Sequence, residues 1–384
     1  MDFGLSPEQQ LLQSTLREFT ARELLPSYQS RDRDEDLPTD LVRKLGEMGV
    51  LASMVDAEHG GSGLDYVSMG IAHEEIARGD FNAAYVLLIA ALVGAIVARN
   101  GDDRQKAAYL PAICSGEVLT ALAVTAPSGG SDAAHVKLQA RRDGDHYVLD
   151  GEKTSISFSS SAHTGLVMAR TGTMEQGAHG VSAFYVDLNS PGVSRTRFRD
   201  LGSRAIGRGS LFFDSVRVPA NARIGKEGAG FVQVMQGFDF SRALIGLMCI
   251  GAAEQSVEET CAYVAERQAF GGSLARFEGV SFPLAEAAVE LRAARHLCYE
   301  ALWLRDRNQP HGWVSAGAKW LAPELCARVL HQCLLLHGQM GFSMDFPHQQ
   351  RMRDVIGLEI GDGTAQIMKL LVAREIIGKV ARGY

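Results

Sequence analysis

The chain has no excess of positive charge, since 38 lysines and arginines face 45 aspartates and glutamates. The resulting net charge of -7 argues against nucleic acid as a partner, because that interface needs concentrated lysine and arginine. Charged residues make up 22% and hydrophobic residues 46%, which is too apolar for a disordered chain. A small basic pocket for one phosphorylated ligand is still compatible with this balance.

Metal, disulfide and membrane signals are also missing. Residues 83–98 form the longest apolar run, which is too short to cross a bilayer and indicates a buried helix. The first ten residues, MDFGLSPEQQ, lack the basic start and apolar stretch of an export signal. No C-x-x-C pair occurs among the cysteines, so we expect reduced core thiols of a cytoplasmic protein, with no metal and no membrane partner. The six are Cys114, Cys249, Cys261, Cys298, Cys326 and Cys333.

The 384 residues predict about two or three domains, and the pattern changes twice along the chain. Residues 1–118 have helical periodicity, which begins at Ser6-Pro7-Glu8-Gln9 with the signature of a capping box. Residues 228–384 are again helical, with long segments at 231–265, 282–305, 315–336 and 364–381 that favour an antiparallel bundle.

The middle region, residues 119–227, has the alternation of β-strands. Residues 136–142 and 146–149 flank Asp143-Gly144 and predict a hairpin, and Asp150-Gly151 offers another turn. Residues 182–186 and 211–218 indicate further strands, so a small barrel or sandwich is expected. The predicted fold is α+β and multi-domain: an N-terminal α-helical domain (1–118), a middle β-barrel (119–227) and a C-terminal four-helix bundle (228–384).

Two segments are candidates for chemistry. Residues 124–132 combine hydroxylic side chains with Gly129 and Gly130, so backbone N–H groups could face a ligand, although a turn-rich lead-in to a β domain is the commoner explanation. In residues 358–366, Asp362 stands between two glycines ahead of a helical run. Two explanations stay open for this segment: a helix cap formed by Asp362 or Thr364, or a carboxylate exposed as a general base.

Six segments together resemble motifs of the acyl-CoA dehydrogenase family, in the family's order and over essentially the whole chain. Each motif is weak alone, but the ordered set is specific. The segments are residues 124–132 (family T-E-P-x-A-G-S-D), 151–153 (G-x-K), 266–271 (E-R-x-x-F-G), 337–342 (G-G-x-G-F), 352–354 (M-R-D) and 361–366 (E-G-T-x-Q).

The resemblance implies the same three-domain fold, FAD as cofactor, a homotetramer, and an electron-transfer flavoprotein or similar acceptor. It implies oxidation of an acyl-CoA thioester to its α,β-unsaturated product, with Asp362 as the catalytic base and hydride transfer to flavin N5. The FAD positions it implies are Leu122, Val124, Thr125, Gly130, Ser131, Ser155, Ile156, Ser157, Thr364 and Gln366, with Arg267, Phe270, Leu335, His337, Gly338 and Gln339 reaching the FAD of a neighbouring subunit. The substrate positions it implies are Ser131, Ser241, Arg242 and Gly363.

Several residues depart from the family pattern. The usual base is glutamate, and here it is Asp362, which is shorter by one methylene. Some relatives carry the base just before the CoA arginine, where this chain has Ser241. Ala126, Ser155, Ser157 and Gln339 also differ from the motif residues.

The shorter base and the segments 358–363 and 337–340 resemble those of cyclohexanecarboxyl-CoA dehydrogenases. A ring α-carbon is bulky and needs room, which a base shorter by one C–C bond length, about 1.5 Å, provides. We therefore expect cyclohexane-1-carboxyl-CoA as substrate and cyclohex-1-ene-1-carboxyl-CoA as product. The alternative is a short- or branched-chain acyl-CoA. Other functions of this fold, a lyase that releases sulfinate or carboxylate and a non-catalytic flavoprotein, are less favoured because a carboxylate is retained.

Overall fold

Helices form the N-terminal part of the chain, which the computed structural model describes over residues 4–378 and 380–381. The first helix begins at the predicted cap: the Ser6 hydroxyl accepts from the Gln9 backbone N–H at 3.2 Å, and the Gln9 side chain accepts from Ser6 N–H at 3.1 Å. The capping-box prediction is confirmed. The helices are α1 (Pro7–Phe19), α2 (Tyr28–Asp34), α3 (Thr39–Glu47), α4 (Tyr66–Gly79), α5 (Phe81–Asn100) and α6 (Asp103–Cys114).

Helix α5 passes through the core of the protein, as its apolar sequence predicts. Asp80 caps it by accepting from the backbone N–H groups of Asn82 and Ala83 at 2.7 and 3.2 Å. Among the described residues it is the one helix long and apolar enough to cross a membrane, and 83% of its most apolar window is buried inside the protein. That burial is typical of the core helix of a globular fold.

The middle domain contains a mixed sheet. Its strands are β1 (Thr120–Ala123), β2 (Gln139–Asp143), β3 (His146–Ile156), β4 (Thr164–Arg170), β5 (Val181–Asp187), β6 (Val193–Arg195), β7 (Gly209–Pro219) and β8 (Arg223–Ile224). They pair in the order β6-β7-β3-β2-β4-β5-β8, and β1 lies parallel to β4. The predicted β2–β3 hairpin is confirmed, with Asp143 opposite His146.

The predicted turn at Asp150-Gly151 is wrong. Strand β3 continues through both residues, and its register against β7 shifts between Leu149 and Gly151. Gly151 has a φ of +135°, a conformation that glycine adopts readily and that bulges tolerate. The glycine therefore marks an irregularity within a strand.

The C-terminal domain is helical. Its helices are α7 (Gly230–Glu266), α8 (Glu278–Asp306), α9 (Gly312–Leu336), α10 (Gln339–Phe342), α11 (His348–Ile360) and α12 (Ala365–Ile377), and a small ribbon of β9 (Gln268–Ala269) and β10 (Gly272–Ser273) follows α7. The predicted α, β, α class is confirmed. The predicted boundaries at 118/119 and 227/228 fall between α6 and β1 and between β8 and α7.

One carboxyl group lies where the three regions meet. Asp354 on α11 is fully buried and accepts from the Tyr28 hydroxyl at 2.7 Å, the Asn82 amide at 3.3 Å and the Ser203 backbone N–H at 2.5 Å. Burial raises the pKa of Asp354 to about 7, against the hydrogen bonds from Ser203 and Tyr28. Its position brings residues of all three domains into one hydrogen-bonded group.

Candidate active site

Asp362 lies in the turn between α11 and α12, with a φ of +55° that non-glycine residues rarely adopt. Helix α12 is capped by Thr364, whose hydroxyl accepts from the Ile367 backbone N–H at 3.3 Å. Of the two capping candidates, Thr364 is therefore the cap. This leaves the Asp362 carboxylate free for another role.

Asp362 is half-buried, with one carboxylate oxygen enclosed by the protein. Its Oδ2 is inaccessible and has no hydrogen-bond partner. Burial raises the pKa of this carboxyl, and the charges of Lys319 and Arg242 oppose the rise. Arg242 is 8% exposed and pairs with Asp239 at 3.1 Å. A desolvated carboxylate held between cations is a suitable proton acceptor.

Tyr85 on α5 lies beside the turn that carries Asp362, and the sequence pattern did not single it out. Its hydroxyl oxygen lies 4.0 Å from the point where a Cβ on Gly361 would stand, and its ring meets Phe158 edge-on at 6.4 Å between centroids. Burial first and the Asp362 charge second raise its pKa far above the usual range, and a hydrogen bond with the Ser157 side chain opposes this. Tyr85 is the sole polar side chain in the apolar run 83–98, and that isolation was the available signal.

Hydrogen bonds from β3 hold residues 124–132, the segment expected to line the flavin. The Lys153 ammonium donates to the Val124 carbonyl at 2.6 Å, and the Thr154 N–H donates to the Thr125 carbonyl at 3.0 Å. Lys153 is fully buried, and burial, helped by Arg170, lowers its pKa to about 7. Leu122 lies opposite Leu166 in the β1–β4 pair.

The outer side of this segment is open. A Cβ built on Gly129 would have no atom within 4 Å, and Gly130 and Ser131 are exposed. At the end of β3, Ser155 is exposed with a φ of +57°, Ile156 is buried and Ser157 is half-buried. Exposed backbone and small hydroxylic side chains on a rigid sheet fit a large planar ligand with polar substituents, as the FAD expectation requires.

The bundle positions predicted to reach a neighbouring FAD form a separate, largely exposed group. Phe270 is 90% and Leu335 is 54% exposed, while Arg267, Gly338 and Gln339 are also exposed. The His337 side chain is buried and stacks between Tyr263 and His348, with centroid distances of 4.3 and 4.0 Å. Any ligand contact of His337 would therefore be made by its backbone.

The remaining predicted positions lie near the turn or on α7. Ser241 is fully buried and donates to the Phe238 carbonyl at 3.4 Å. Gly363 has a φ of +103°, and a Cβ there would stand 2.6 Å from Met368 Cε. The Gln366 side chain is exposed at the start of α12. The roles of all these residues stay predictions.

The six cysteines carry free thiols, of which Cys261 is exposed and the other five are buried. Within residues 4–378 and 380–381, no group of three or more His, Cys, Asp or Glu side chains is placed to hold a metal ion.

Sequence comparisons decide the family. Models of the N-terminal, middle and C-terminal domains of acyl-CoA dehydrogenases match residues 6–117, 121–216 and 228–377. The chain belongs to the acyl-CoA dehydrogenase family. The short-chain specific acyl-CoA dehydrogenase of Clostridium acetobutylicum is 34% identical over 382 residues, 98% of this chain and 100% of that protein. The acryloyl-CoA reductase (NADH) of Anaerotignum propionicum is 34% identical over 380 residues, 98% of this chain and 96% of that one.

Solved structures of this family have the same fold. Butyryl-CoA dehydrogenase from Megasphaera elsdenii superposes with a TM-score of 0.94 at 28% identity, covering 98% of this chain and 100% of that chain. The glutaryl-CoA dehydrogenase of Mycobacterium smegmatis in complex with FADH2 gives 0.91 at 25% identity, covering 98% and 96%. A chain from a structure described as the electron transferring flavoprotein of Acidaminococcus fermentans gives 0.95 at 30% identity, covering 98% and 100%. The chain is accordingly an FAD-dependent acyl-CoA dehydrogenase that acts on CH–CH bonds.

Proposed function

We propose that this acyl-CoA dehydrogenase acts on an alicyclic substrate of the kind of cyclohexane-1-carboxyl-CoA, with Asp362 as the acceptor of the α-proton. The observation that carries the proposal is an aspartate whose Oδ2 is enclosed without a hydrogen-bond partner and which follows a glycine. Both residues reduce the side-chain volume on the base side of the site.

Gly361 leaves space beside the Asp362 carboxylate. A Cβ at this position would stand 3.5 Å from Leu358 Cδ2 and 4.0 Å from the Tyr85 hydroxyl. A larger side chain would grow toward these groups, and its absence leaves room next to the carboxylate. The aspartate itself is shorter than glutamate by one C–C bond length, about 1.5 Å. A bulky tertiary α-carbon in a ring uses this room, whereas a linear chain would leave its α-proton farther from Asp362.

The chain's own groups perform the proton half of the reaction. The Asp362 carboxylate takes the proton as the α C–H bond breaks, and it releases that proton to solvent after the unsaturated product leaves. Burial raises the pKa of this carboxyl and so strengthens it as a base. A backbone N–H of the turn, that of Asp362, would stabilise the negative charge that develops on the thioester oxygen. Arg242 and Ser131 would hold the CoA thioester.

Bound FAD supplies the acceptor for the β-hydrogen and its electron pair. The residues that would hold it are those of the open segment, Leu122, Val124, Thr125, Gly130 and Ser131, with Ser155–Ser157 opposite them. Lys153 fixes the back of that segment through the Val124 carbonyl.

A short- or branched-chain acyl-CoA is the second candidate substrate. It is favoured by the likeness to the short-chain specific enzyme of C. acetobutylicum and to butyryl-CoA dehydrogenase of M. elsdenii. In that case small shifts of the backbone around Asp362 would bring the shorter base to the α-carbon of the smaller acyl group.

The exposed side chains of the bundle group support a proposal about assembly. Phe270 and Leu335 are large apolar side chains exposed to 90% and 54%, and such surfaces mark interaction sites. We propose that they meet the FAD site of a neighbouring subunit in a homotetramer. We also propose an electron-transfer flavoprotein as acceptor and, from the free thiols, a cytoplasmic location.

A substrate panel tests the proposal. Turnover is measured as kcat/KM for cyclohexane-1-carboxyl-, isobutyryl-, butyryl- and octanoyl-CoA, and anaerobic mixing is followed by the loss of flavin colour. We expect the ring substrate to have the highest kcat/KM. Preference for a linear substrate would refute the alicyclic assignment, and a flavin that no acyl-CoA bleaches would refute the dehydrogenase reaction.

A further inference from the structure

Helix α9 carries a lysine inside the core of the bundle. Lys319 is 1% exposed, and the alanines on either side of its turn, Ala318 and Ala322, are buried too. A buried ammonium group is costly unless it is hydrogen-bonded and close to negative charge. The Lys319 ammonium meets both conditions at the turn that carries Asp362.

The hydrogen bond runs from Lys319 to the turn. Its Nζ donates to the backbone carbonyl of Gly363, the residue after Asp362. Asp362 and Gly363 have φ values of +55° and +103°, so two successive residues adopt left-handed conformations. A carbonyl fixed from α9 holds this turn, and with it the direction of the Asp362 side chain.

The titratable groups facing Asp362 come from three helices, and two of these groups are charged. Lys319 on α9 opposes the rise in the pKa of Asp362 most strongly, and Arg242 on α7 does so less. Arg242 is already paired with Asp239 at 3.1 Å. Tyr85 on α5 contributes a neutral phenol, since burial holds its pKa far above the usual range. Lys319 is thus the main cation that favours the ionised form of Asp362.

The surroundings of Lys319 keep it charged near neutral pH. Burial lowers its pKa to about 8, while the charge of Asp362, the Cys249 thiol and Glu359 oppose that fall and Arg242 adds to it. Cys249 on α7 is itself buried, and burial raises the pKa of its thiol above the usual range. Glu359 on α11 supplies a second carboxylate near the ammonium.

We propose that Lys319 is a positioning residue for the reaction assigned to Asp362: it fixes the turn through the Gly363 carbonyl, and its charge keeps the Asp362 carboxylate ionised and ready to accept the proton. The role is indirect, because Lys319 acts on the base and its turn. The inference rests on the proposed function only for the identity of the proton that Asp362 removes.

Three variants of the holoenzyme test it. Lys319→Met removes the charge and the donor, Lys319→Gln removes the charge but keeps an N–H donor, and Lys319→Arg keeps both. Lys44→Met is the control, because Lys44 is an exposed lysine on α3 of the N-terminal domain, where it pairs with Glu23 at 2.9 Å. If Lys319→Met does not fold, Lys319→Gln tests the loss of the charge on its own.

The readout is the protonation of Asp362 itself. Infrared difference spectra of each protein against the same protein with Asp362→Asn follow the carboxylic-acid band as a function of pH, without any substrate. We expect the midpoint to rise by about one pH unit in Lys319→Met and Lys319→Gln, as for loss of a nearby opposite charge. It should stay at the wild-type position in Lys319→Arg and in Lys44→Met.

Turnover gives the second readout and separates this inference from the proposed function. The acid limb of kcat/KM should move to higher pH with the infrared midpoint, and kcat should fall more than KM changes. A midpoint that Lys319→Met and Lys319→Gln leave in place would overturn the inference, even if activity fell. A shifted midpoint in a protein inactive toward every acyl-CoA would uphold the role of Lys319 and reject the proposed function.

Discussion

Replacing Asp362 by asparagine should abolish most turnover without weakening the fold. The amide keeps the shape of the side chain but cannot accept the α-proton. Loss of a general base lowers turnover by about 10² to 10⁴, which corresponds to about 3 to 5 kcal/mol in the barrier. We expect this loss in kcat with cyclohexane-1-carboxyl-CoA.

The effect of Asp362→Asn on stability should be neutral or favourable, as expected where activity requires an unfavourable buried charge. Because burial raises the folded-state pKa of Asp362, the stability this group contributes is present below the unfolded pKa of about 3.9 and is lost as pH rises through the folded value. At pH 7 the buried charge is therefore unfavourable. Asp362→Asn removes it, so the Tm at neutral pH should equal or exceed that of the wild type.

The assay combines steady-state kcat, FAD content from the flavin absorbance, and thermal unfolding at pH 7. Asp103→Asn is the control, since Asp103 is an exposed aspartate in the first turn of α6 and should leave all three quantities unchanged. Turnover above about a tenth of wild type in Asp362→Asn would place the base elsewhere. A Tm clearly below that of the wild type would refute the electrostatic reasoning.

Three further changes have defined outcomes. Tyr85→Ala should raise kcat/KM for octanoyl-CoA relative to isobutyryl-CoA, because the phenol beside Gly361 limits the space. Tyr85→Phe should keep the wild-type ratio of these two kcat/KM values. A ratio that neither variant changes would contradict this reasoning. The Tm of Asp354→Asn relative to wild type should be less unfavourable at pH 8 than at pH 5, because burial raises the Asp354 pKa to about 7 and the stabilisation by Asp354 is lost as pH rises through that value; equal differences at the two pH values would count against it. Phe270→Asp should shift the protein toward smaller assemblies in sedimentation and lower its FAD content, and an unchanged assembly with full FAD would argue against a shared site.

Local signals in the sequence predicted the elements that depend on local interactions. The capping box at Ser6 and the hairpin around Asp143 are set by side-chain-to-backbone bonds and turn chemistry within a few residues. The turn predicted at Gly151 is wrong, because a glycine with positive φ occurs in a bulge inside a strand as well as in a turn between strands. Helix α11 was not predicted, since its buried face includes polar residues such as Gln350, Arg351 and Asp354.

The candidate site was predictable only where a motif marks it. Asp362 stands out between its glycines, and Thr364 was one of its two capping alternatives. Lys319 lies in a helical run whose periodicity is that of core residues, and the isolation of Tyr85 in an apolar run marks it as unusual without placing it beside Asp362. Their proximity depends on how α5 and α9 pack against the turn, a tertiary arrangement that spacing along the chain does not encode.

The Asp354 cluster has a consequence for how the chain acquires its structure. Its donors come from positions 28, 82 and 203, while the acceptor is near the end of the chain. During synthesis the first two domains emerge well before α11, and until it arrives the Ser203 N–H and the Tyr28 hydroxyl lack their native acceptor. The three domains therefore dock stably against one another only after the last part of the chain has been synthesised. A chain cut before α11 should have loosely docked domains, with fast amide exchange at Ser203.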